Sequence, residues 1–351
     1  MGAGKLKQLY RRYPKGSDGR KIVDLMLMVR ATIRQGGYRA ALESFYWIKD
    51  KNAQIHPIKL NAEQVDFLEE TDRQIAERGY VRVLVLKARQ IGFSTLIQGL
   101  QLINSLARPF QFSVTLGYDR ENSKYLYGMS NRCYERLPGG RPPMEVDRRA
   151  ETRFCKPNRS EISVQTAGTV NVGRGTTIQF VHASELAFYT NPEDMFTGFE
   201  QAIADSPGTF AFKESTANGA GNYFFREWNN AEAGLSSYVG KFYSWWAHVD
   251  YRLPFQSAGE LDDLKRGLTK DELALLELGC SFENLKWRRR TIITKCQNDH
   301  RRFKQEYPAT AQEAFLTSGR PTFDSDQMAK LLALTKRTEP IFTGSLQAID
   351  E

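Results

Sequence analysis

The chemically suggestive residues of the chain begin at Lys87, in the segment Lys87-Ala-Arg89-Gln90-Ile-Gly92-Phe93-Ser94-Thr95. In the ordinary phosphate-loop pattern, G-x-x-x-x-G-K-[ST], glycines let backbone N–H groups close around phosphate, a lysine reaches the terminal phosphates and a hydroxyl binds magnesium. Gly92 and Ser94 keep their places in that pattern, but Lys87 stands at the first glycine and Phe93 at the usual lysine. A cation must therefore reach phosphate from the start of the loop, with Lys87 the first candidate and Arg89 the second. The expected ligands are ATP and Mg2+, cradled by Gln90, Gly92, Phe93, Ser94 and Thr95, with the Ser94 hydroxyl on the metal. A Lys-Ala-Arg surface turn before a helix would carry the same letters, so the weight rests on the motifs that follow.

The next motif is Thr177-Ile-Gln-Phe-Val-His-Ala-Ser184-Glu185, an apolar run that ends in a carboxylate. A hydrolysing site needs such a group to orient and activate the attacking water, and Glu185 is placed to do it. Where related sites carry Asp-Glu, this chain offers Ser184, whose neutral hydroxyl can hydrogen-bond a magnesium-bound water but contributes less field. A third run ends in Glu214-Ser215-Thr216-Ala-Asn218-Gly, a small polar turn able to sense the terminal phosphate and couple its loss to movement. Gln64, ahead of the first apolar run, either reads adenine or is an exposed helical glutamine.

The elements that must position these residues follow from periodicity. Val81-Arg-Val-Leu-Val-Leu86 reads as a strand buried on both faces, preceded by a helix capped at Asn61. Further strands are expected at 112–117, 162–166, 177–182 and 209–214, and helices at 95–106, 120–136, 192–204 and 222–231. This alternation predicts a mostly parallel sheet covered by helices on both faces, with the site at the carboxyl ends of the strands. Residues 1–55 read as an amino-terminal helical appendage broken at Gly36-Gly37, 56–252 as the nucleotide-binding core, and 253–351 as a mainly helical subdomain and tail. With 351 residues and 41% hydrophobic content, the chain can bury a substantial core. It contains no apolar run of membrane-spanning length, so no membrane partner is expected. The four cysteines and four histidines are scattered without metal-ligand spacing. The formal charge of +8 is concentrated at Lys5–Lys21 and Lys286–Arg302, which suits a polyanionic partner.

Taken together, Lys-x-Arg-Gln-x-Gly-x-Ser-Thr, then Ser-Glu-x-Ala-Phe, then Ser-Thr-x-Asn-Gly resemble the large terminase subunit of tailed bacteriophages. Gly221-Asn-Tyr-Phe-Phe-Arg-Glu-Trp228, Trp287-Arg-Arg, Phe303–Phe315 with its Glu-Tyr-Pro and Glu-Ala-Phe, Gly319 and Phe323-Asp324 extend the resemblance from about Leu60 to Asp324. It implies an α/β fold of the P-loop NTPase kind, RecA/ASCE-like, with a small helical subdomain. It further implies an ATPase that packages double-stranded DNA into a procapsid in the host cytoplasm. The implied partners are a portal protein, a small terminase subunit and further copies in a homo-oligomeric ring, a monomer being the alternative state of the isolated chain. Lys87 and Arg89 would serve the loop, Glu185 would be the catalytic carboxylate, Ser215, Thr216 and Asn218 the coupling motif, and Gln64 the adenine contact. Arg174, between two glycines, would cross to a neighbour's ATP or to DNA, or stand exposed on its loop. Only a short tail follows Asp324, so no acidic metal cluster for DNA cutting is expected in this polypeptide. A helicase-like translocase, and a nucleotide-gated DNA-binding assembly module with little turnover, are the competing expectations.

Overall fold

The structure, a computed structural model, describes residues 3–168 and 177–317 together with Leu331 and Leu334. Helices α1 (Ala3–Arg12) and α2 (Asp18–Phe45) open the chain. The break expected at Gly36-Gly37 is a kink inside α2, where Gly37 takes φ +69°. Strands β1 (Trp47–Lys49) and β2 (Ile55–Pro57) pair antiparallel and lead into α3 (Ala62–Arg78). A capping box starts α3: the Asn61 side chain accepts the Gln64 N–H, and the Gln64 side chain accepts the Asn61 N–H.

The central unit then runs β3 (Val81–Lys87), α4 (Phe93–Ala107), β4 (Phe112–Gly117), α5 (Arg120–Tyr134), β5 (Met144–Arg148), β6 (Glu151–Phe154), β7 (Glu161–Thr166) and β8 (Phe180–Ser184). A short 3-10 turn at Leu186–Phe188, α6 (Pro192–Gln201), β9 (Phe210–Ser215), α7 (Tyr223–Glu232) and β10 (Val239–Tyr243) complete it. The remaining helices are α8 (Ala258–Arg266), α9 (Lys270–Glu277), α10 (Phe282–Lys295), α11 (His300–Glu306) and α12 (Ala311–Thr317).

One eight-stranded sheet, ordered β10-β3-β9-β8-β4-β7-β6-β5, organises the molecule. The six strands from β10 to β7 are parallel, and only β5 and β6 run antiparallel at one edge. This is an α/β fold built on a mostly parallel sheet flanked by helices, in which β9 lies between the strand leading into the Lys87–Thr95 loop and the strand leading to Glu185. The expected strand at 177–182 is displaced to Phe180–Ser184, since Ile178 makes only an isolated bridge to Ile203. Ser184 is consequently part of the sheet. The sequence reading also lacked β10, β5 and β6.

Side-chain alternation divides the core between the two faces of the sheet. Val81, Val83 and Val85 of β3, Phe180 of β8, and Phe210 and Phe212 of β9 pack with α4 and with Leu42, Tyr46 and Phe67 from the preceding helices. Leu84 and Leu86, Val181 and Ala183, and Ala211 pack on the opposite face with Phe196, Phe224 and Trp228. Continuing the alternation by one step puts Lys87, Ser184 and Glu214 on the α4 face, at the carboxyl ends of three neighbouring strands.

Candidate nucleotide site

The site grows from the junction of β3 and α4. Lys87 is the last residue of a strand buried at every position, and its side chain is 6% exposed. The chain then turns through Gln90 (φ +59°) and Gly92 (φ +86°) into α4. A Cβ on Gly92 would stand 2.9 Å from Gln64 Nε2, so this turn is built for glycine. Gln64 Nε2 donates to the Gly92 carbonyl at 2.9 Å while Gln64 Oε1 holds the Asn61 N–H, so one side chain caps α3 and fastens the loop. Phe93 turns into the core against Phe67 and Tyr243. Ser94 and Thr95, in the first turn of α4, remain half-buried, and Gln90 is exposed.

Lys87 Nζ lies 3.0 Å from Glu185 Oε1 and 3.0 Å from Glu214 Oε2. Glu214 is fully buried, and its Oε1 accepts from Ser94 Oγ at 2.6 Å and Ser184 Oγ at 2.8 Å, with His182 Nε2 at 3.3 Å. Behind His182, Gln98 Nε2 lies 2.8 Å from Nδ1 and from Thr115 Oγ1. Among the described residues, Glu214 Oε2 has the ammonium beside it and no further donor. Burial alone would push the Glu214 carboxyl up; the Lys87 ammonium, His182 and Ser94 outweigh it and hold the group well below the usual carboxylate range. Burial likewise favours a neutral Lys87, and Glu185 and Glu214 overcome it to hold its ammonium above the usual lysine range.

Glu185 follows β8 in the left-handed region (φ 58°, ψ 46°), uncommon for a residue with a Cβ and found where surroundings over-determine the backbone. That turn aims its carboxylate back across the strand ends. Oε2 faces the Thr216 N–H at 3.4 Å, Ser215 Oγ accepts the Ala187 N–H at 3.1 Å, and Asn218 Nδ2 donates to the Ala187 carbonyl at 3.2 Å. The polar turn after β9 is thus stitched to the segment that carries Glu185.

Arg89 points elsewhere. Its guanidinium pairs with Glu306 at 2.6 Å, its N–H donates to the Glu306 carbonyl at 3.0 Å, and its own carbonyl accepts from the Tyr251 hydroxyl. Arg174 lies outside the described residues, as do Gly319, Phe323 and Asp324. Lys87, Ser94, Ser184, Glu185, Ser215 and Thr216 are brought together, with Gln64, Gly92 and Asn218 on the borders.

A search of solved structures finds the HK97 bacteriophage large terminase, 15% identical, with a TM-score of 0.51 over 74% of this chain and 54% of that one. Over the aligned residues the chain has the fold of that phage large terminase. It spans about half the length of the HK97 large terminase. The Thermus phage P74-26 large terminase ATPase domain aligns at 16% identity and a TM-score of 0.48, covering 72% of this chain and 93% of that domain. The large terminase of a further thermophilic bacteriophage aligns at 9% identity and a TM-score of 0.42, covering 60% and 51%. No family model and no curated protein matches the sequence.

On this terminase fold, the sequence reading passed over Glu214, His182 and Gln98. The available signal was a charged residue, Glu214, at the end of an otherwise apolar central strand. Its meaning depends on register: β8 and β9 pair Ser184 with Glu214, and β3 and β9 pair Val85 with Glu214. The second basic cluster is also partly committed: Lys286 pairs with Glu260 at 2.7 Å, and Arg288 and Arg289 approach the buried Glu272 at 3.6 and 2.7 Å. Arg290, Lys295, Arg301 and Arg302 remain exposed. No helix among the described residues is long and apolar enough to cross a membrane.

Proposed function

We propose that this chain is an ATP-hydrolysing motor that drives double-stranded viral DNA into a procapsid, working as a ring on a portal protein with a small terminase subunit. The observation that carries the reading is the convergence of Lys87 and Glu185, at the carboxyl ends of the parallel strands β3 and β8 on either side of β9, with Ser94 in the first turn of α4, where the loop enters the helix. The residues fit a magnesium nucleotide: Gly92 brings the loop into α4 without a side chain, Ser94 supplies a hydroxyl, and Glu214 Oε2 is a buried oxygen whose one partner among the described residues is the Lys87 ammonium. Bound there, magnesium would neutralise charge that develops on the phosphates during transfer.

Within this reading, Lys87 supplies counter-charge to the phosphates, and the loop N–H groups from Gly92 onward close around them. Glu185, 23% exposed and held at the strand ends, accepts a proton from the attacking water. Its contact with Thr216 and the Ala187 contacts of Ser215 and Asn218 give the turn after β9 a direct connection to that event. The exposed Arg290, Lys295, Arg301 and Arg302, with the basic residues of α1 and α2, offer a sequence-independent grip on phosphate backbone. Arg174 remains the proposed charge contributed to a neighbouring site or to DNA.

The presence of Ser184 instead of an acid favours a second reading, a nucleotide-gated DNA-binding module with little turnover. Phosphate release by the purified chain, measured with and without linear duplex DNA, separates the two. The motor reading expects turnover that duplex DNA accelerates, and displacement of a bound triplex strand without unwinding of the duplex. Nucleotide binding without turnover supports the gated module, and duplex unwinding supports a helicase-like translocase.

A further inference from the structure

Ser184 leaves a question open at the site: which group supplies the negative field that an acid at the end of β8 would bring to magnesium. The sheet contains an answer one strand away. Ser184 and Glu214 are register partners on β8 and β9, and their side chains meet, with Ser184 Oγ donating to Glu214 Oε1 at 2.8 Å. The same oxygen accepts from Ser94 Oγ at 2.6 Å, the hydroxyl that a phosphate loop turns toward its metal. The carboxylate thus touches both hydroxyls that could line the metal position.

Its surroundings argue against a purely structural acid. Glu214 is fully buried at the end of a central strand, where an unpaired carboxylate is costly and an apolar residue would ordinarily stand. Three groups orient Oε1, namely Ser94, Ser184 and His182, and Gln98 braces His182 from behind. Among the described residues Oε2 has only the Lys87 ammonium, at 3.0 Å. Lys87 is also shared with Glu185, so the cluster holds two carboxylates against one ammonium. One buried and one partly exposed carboxylate sharing a single ammonium, beside a serine at the start of a helix, suit a hard divalent cation and its waters.

We propose that Glu214, through the arrangement Ser94–Glu214–Ser184 at the ends of β9 and β8, is the carboxylate that holds the magnesium water shell in this chain, in place of an acid at position 184. The proposal rests on the reading of the site as a magnesium-nucleotide site. His182 and Gln98 are positioning residues that fix the carboxylate plane.

The test is calorimetric binding of the non-hydrolysable analogue adenylyl-imidodiphosphate, with Mg2+ and with EDTA, so that no turnover enters the readout. A charge-assisted hydrogen bond to metal-bound water corresponds to a gain of about tenfold or more, so magnesium should tighten binding to the wild-type chain by at least that factor. In Glu214→Gln, analogue binding in EDTA should persist, and the magnesium gain should fall by about fivefold or more, the difference between a charge-assisted and a neutral hydrogen bond. In Ser184→Asp/Glu214→Gln the gain should return, because the carboxylate is restored one strand over. A full magnesium gain in Glu214→Gln overturns the proposal, as does a double variant that binds the analogue and gains nothing from magnesium. A wild-type chain that binds no analogue in either condition removes the nucleotide reading itself and this inference with it. If Glu214→Gln lacks a cooperative urea transition, Glu214→Asp replaces it. That variant keeps the charge beside Lys87 but retracts it by one methylene; a reduced magnesium gain supports the proposal and an undiminished one overturns it.

Discussion

Replacing Lys87 with alanine removes the single ammonium that separates two carboxylates. In the wild-type protein, Lys87 Nζ is 3.0 Å from each of Glu185 and Glu214, and Glu214 has no solvent exposure. Removing one partner of such a buried pair typically costs about 3–5 kcal/mol, because the remaining charge is left without compensation. The pH dependence gives the prediction a sharper form. Folding lowers the wild-type Glu214 pKa below its ordinary 4.5, so its contribution to stability is present above that value and lost as pH falls toward the folded one. Without Lys87, desolvation dominates and the folded carboxyl should bind protons more readily than the unfolded one, so acid should stabilise the variant relative to wild type. Urea denaturation from pH 7.5 down to 4.5 should therefore show a gap of about 3–5 kcal/mol at the top of the range that narrows steadily toward the bottom. The double variant Lys87→Ala/Glu214→Gln should recover much of the loss at pH 7.5, since it removes the stranded charge. A gap independent of pH, or a single variant as stable as wild type at pH 7.5, would refute this account of the cluster.

Glu185→Gln should retain analogue binding and lose steady-state phosphate release by about two to four orders of magnitude, the range expected for a positioned general base. Turnover near the wild-type rate would remove Glu185 from the chemistry. Gly92→Ala must hold a side chain at φ +86° and displace Gln64 from the loop, costing about 1–2 kcal/mol from the backbone alone. Thermal melting should record that loss, and calorimetry a weaker affinity for the analogue; an unchanged melting point and affinity would contradict the role given to this turn. Duplex DNA binding should weaken steeply with salt, and each charge removed from Arg290, Lys295 or Arg301 should reduce the log–log slope by about 0.9 if it contacts phosphate. Slopes unchanged in all three variants would assign the grip to another surface.

The legibility of this fold in its sequence varied with burial. Val81–Leu86 is apolar on both faces apart from Arg82, which pairs with Asp205, because helices cover both sides of the sheet, so its pattern needs no knowledge of its neighbours. β10, Val-Gly-Lys-Phe-Tyr, is an edge strand with only Tyr243 buried, and its pattern merges with that of a loop. β5 and β6 contain Glu145, Asp147, Arg148, Glu151 and Arg153, and their pairing is visible only in the partner strand. The site divides in the same way. Lys87, Ser94 and Glu185 are announced by their spacing along the chain, whereas Glu214 gains its meaning from lateral register. Beside it, Lys213 points to the opposite face, where it meets Glu200 at 2.7 Å and Glu227 at 2.6 Å. Two buried opposite charges on consecutive strand residues look like a solvated turn until the sheet separates them.

The clasp on Arg89 bears on the order in which this molecule can be assembled. Arg89, the second residue after β3, is held by Tyr251 and Glu306, the latter 217 positions further along the chain. A contact of that span forms only after nearly all the intervening polypeptide has been made and folded. During synthesis, strands and helices can come together while the loop still lacks its outer fastening, which arrives when α11 docks. The outer fastening of this loop is therefore among the last contacts the protein gains, and α11 supplies it.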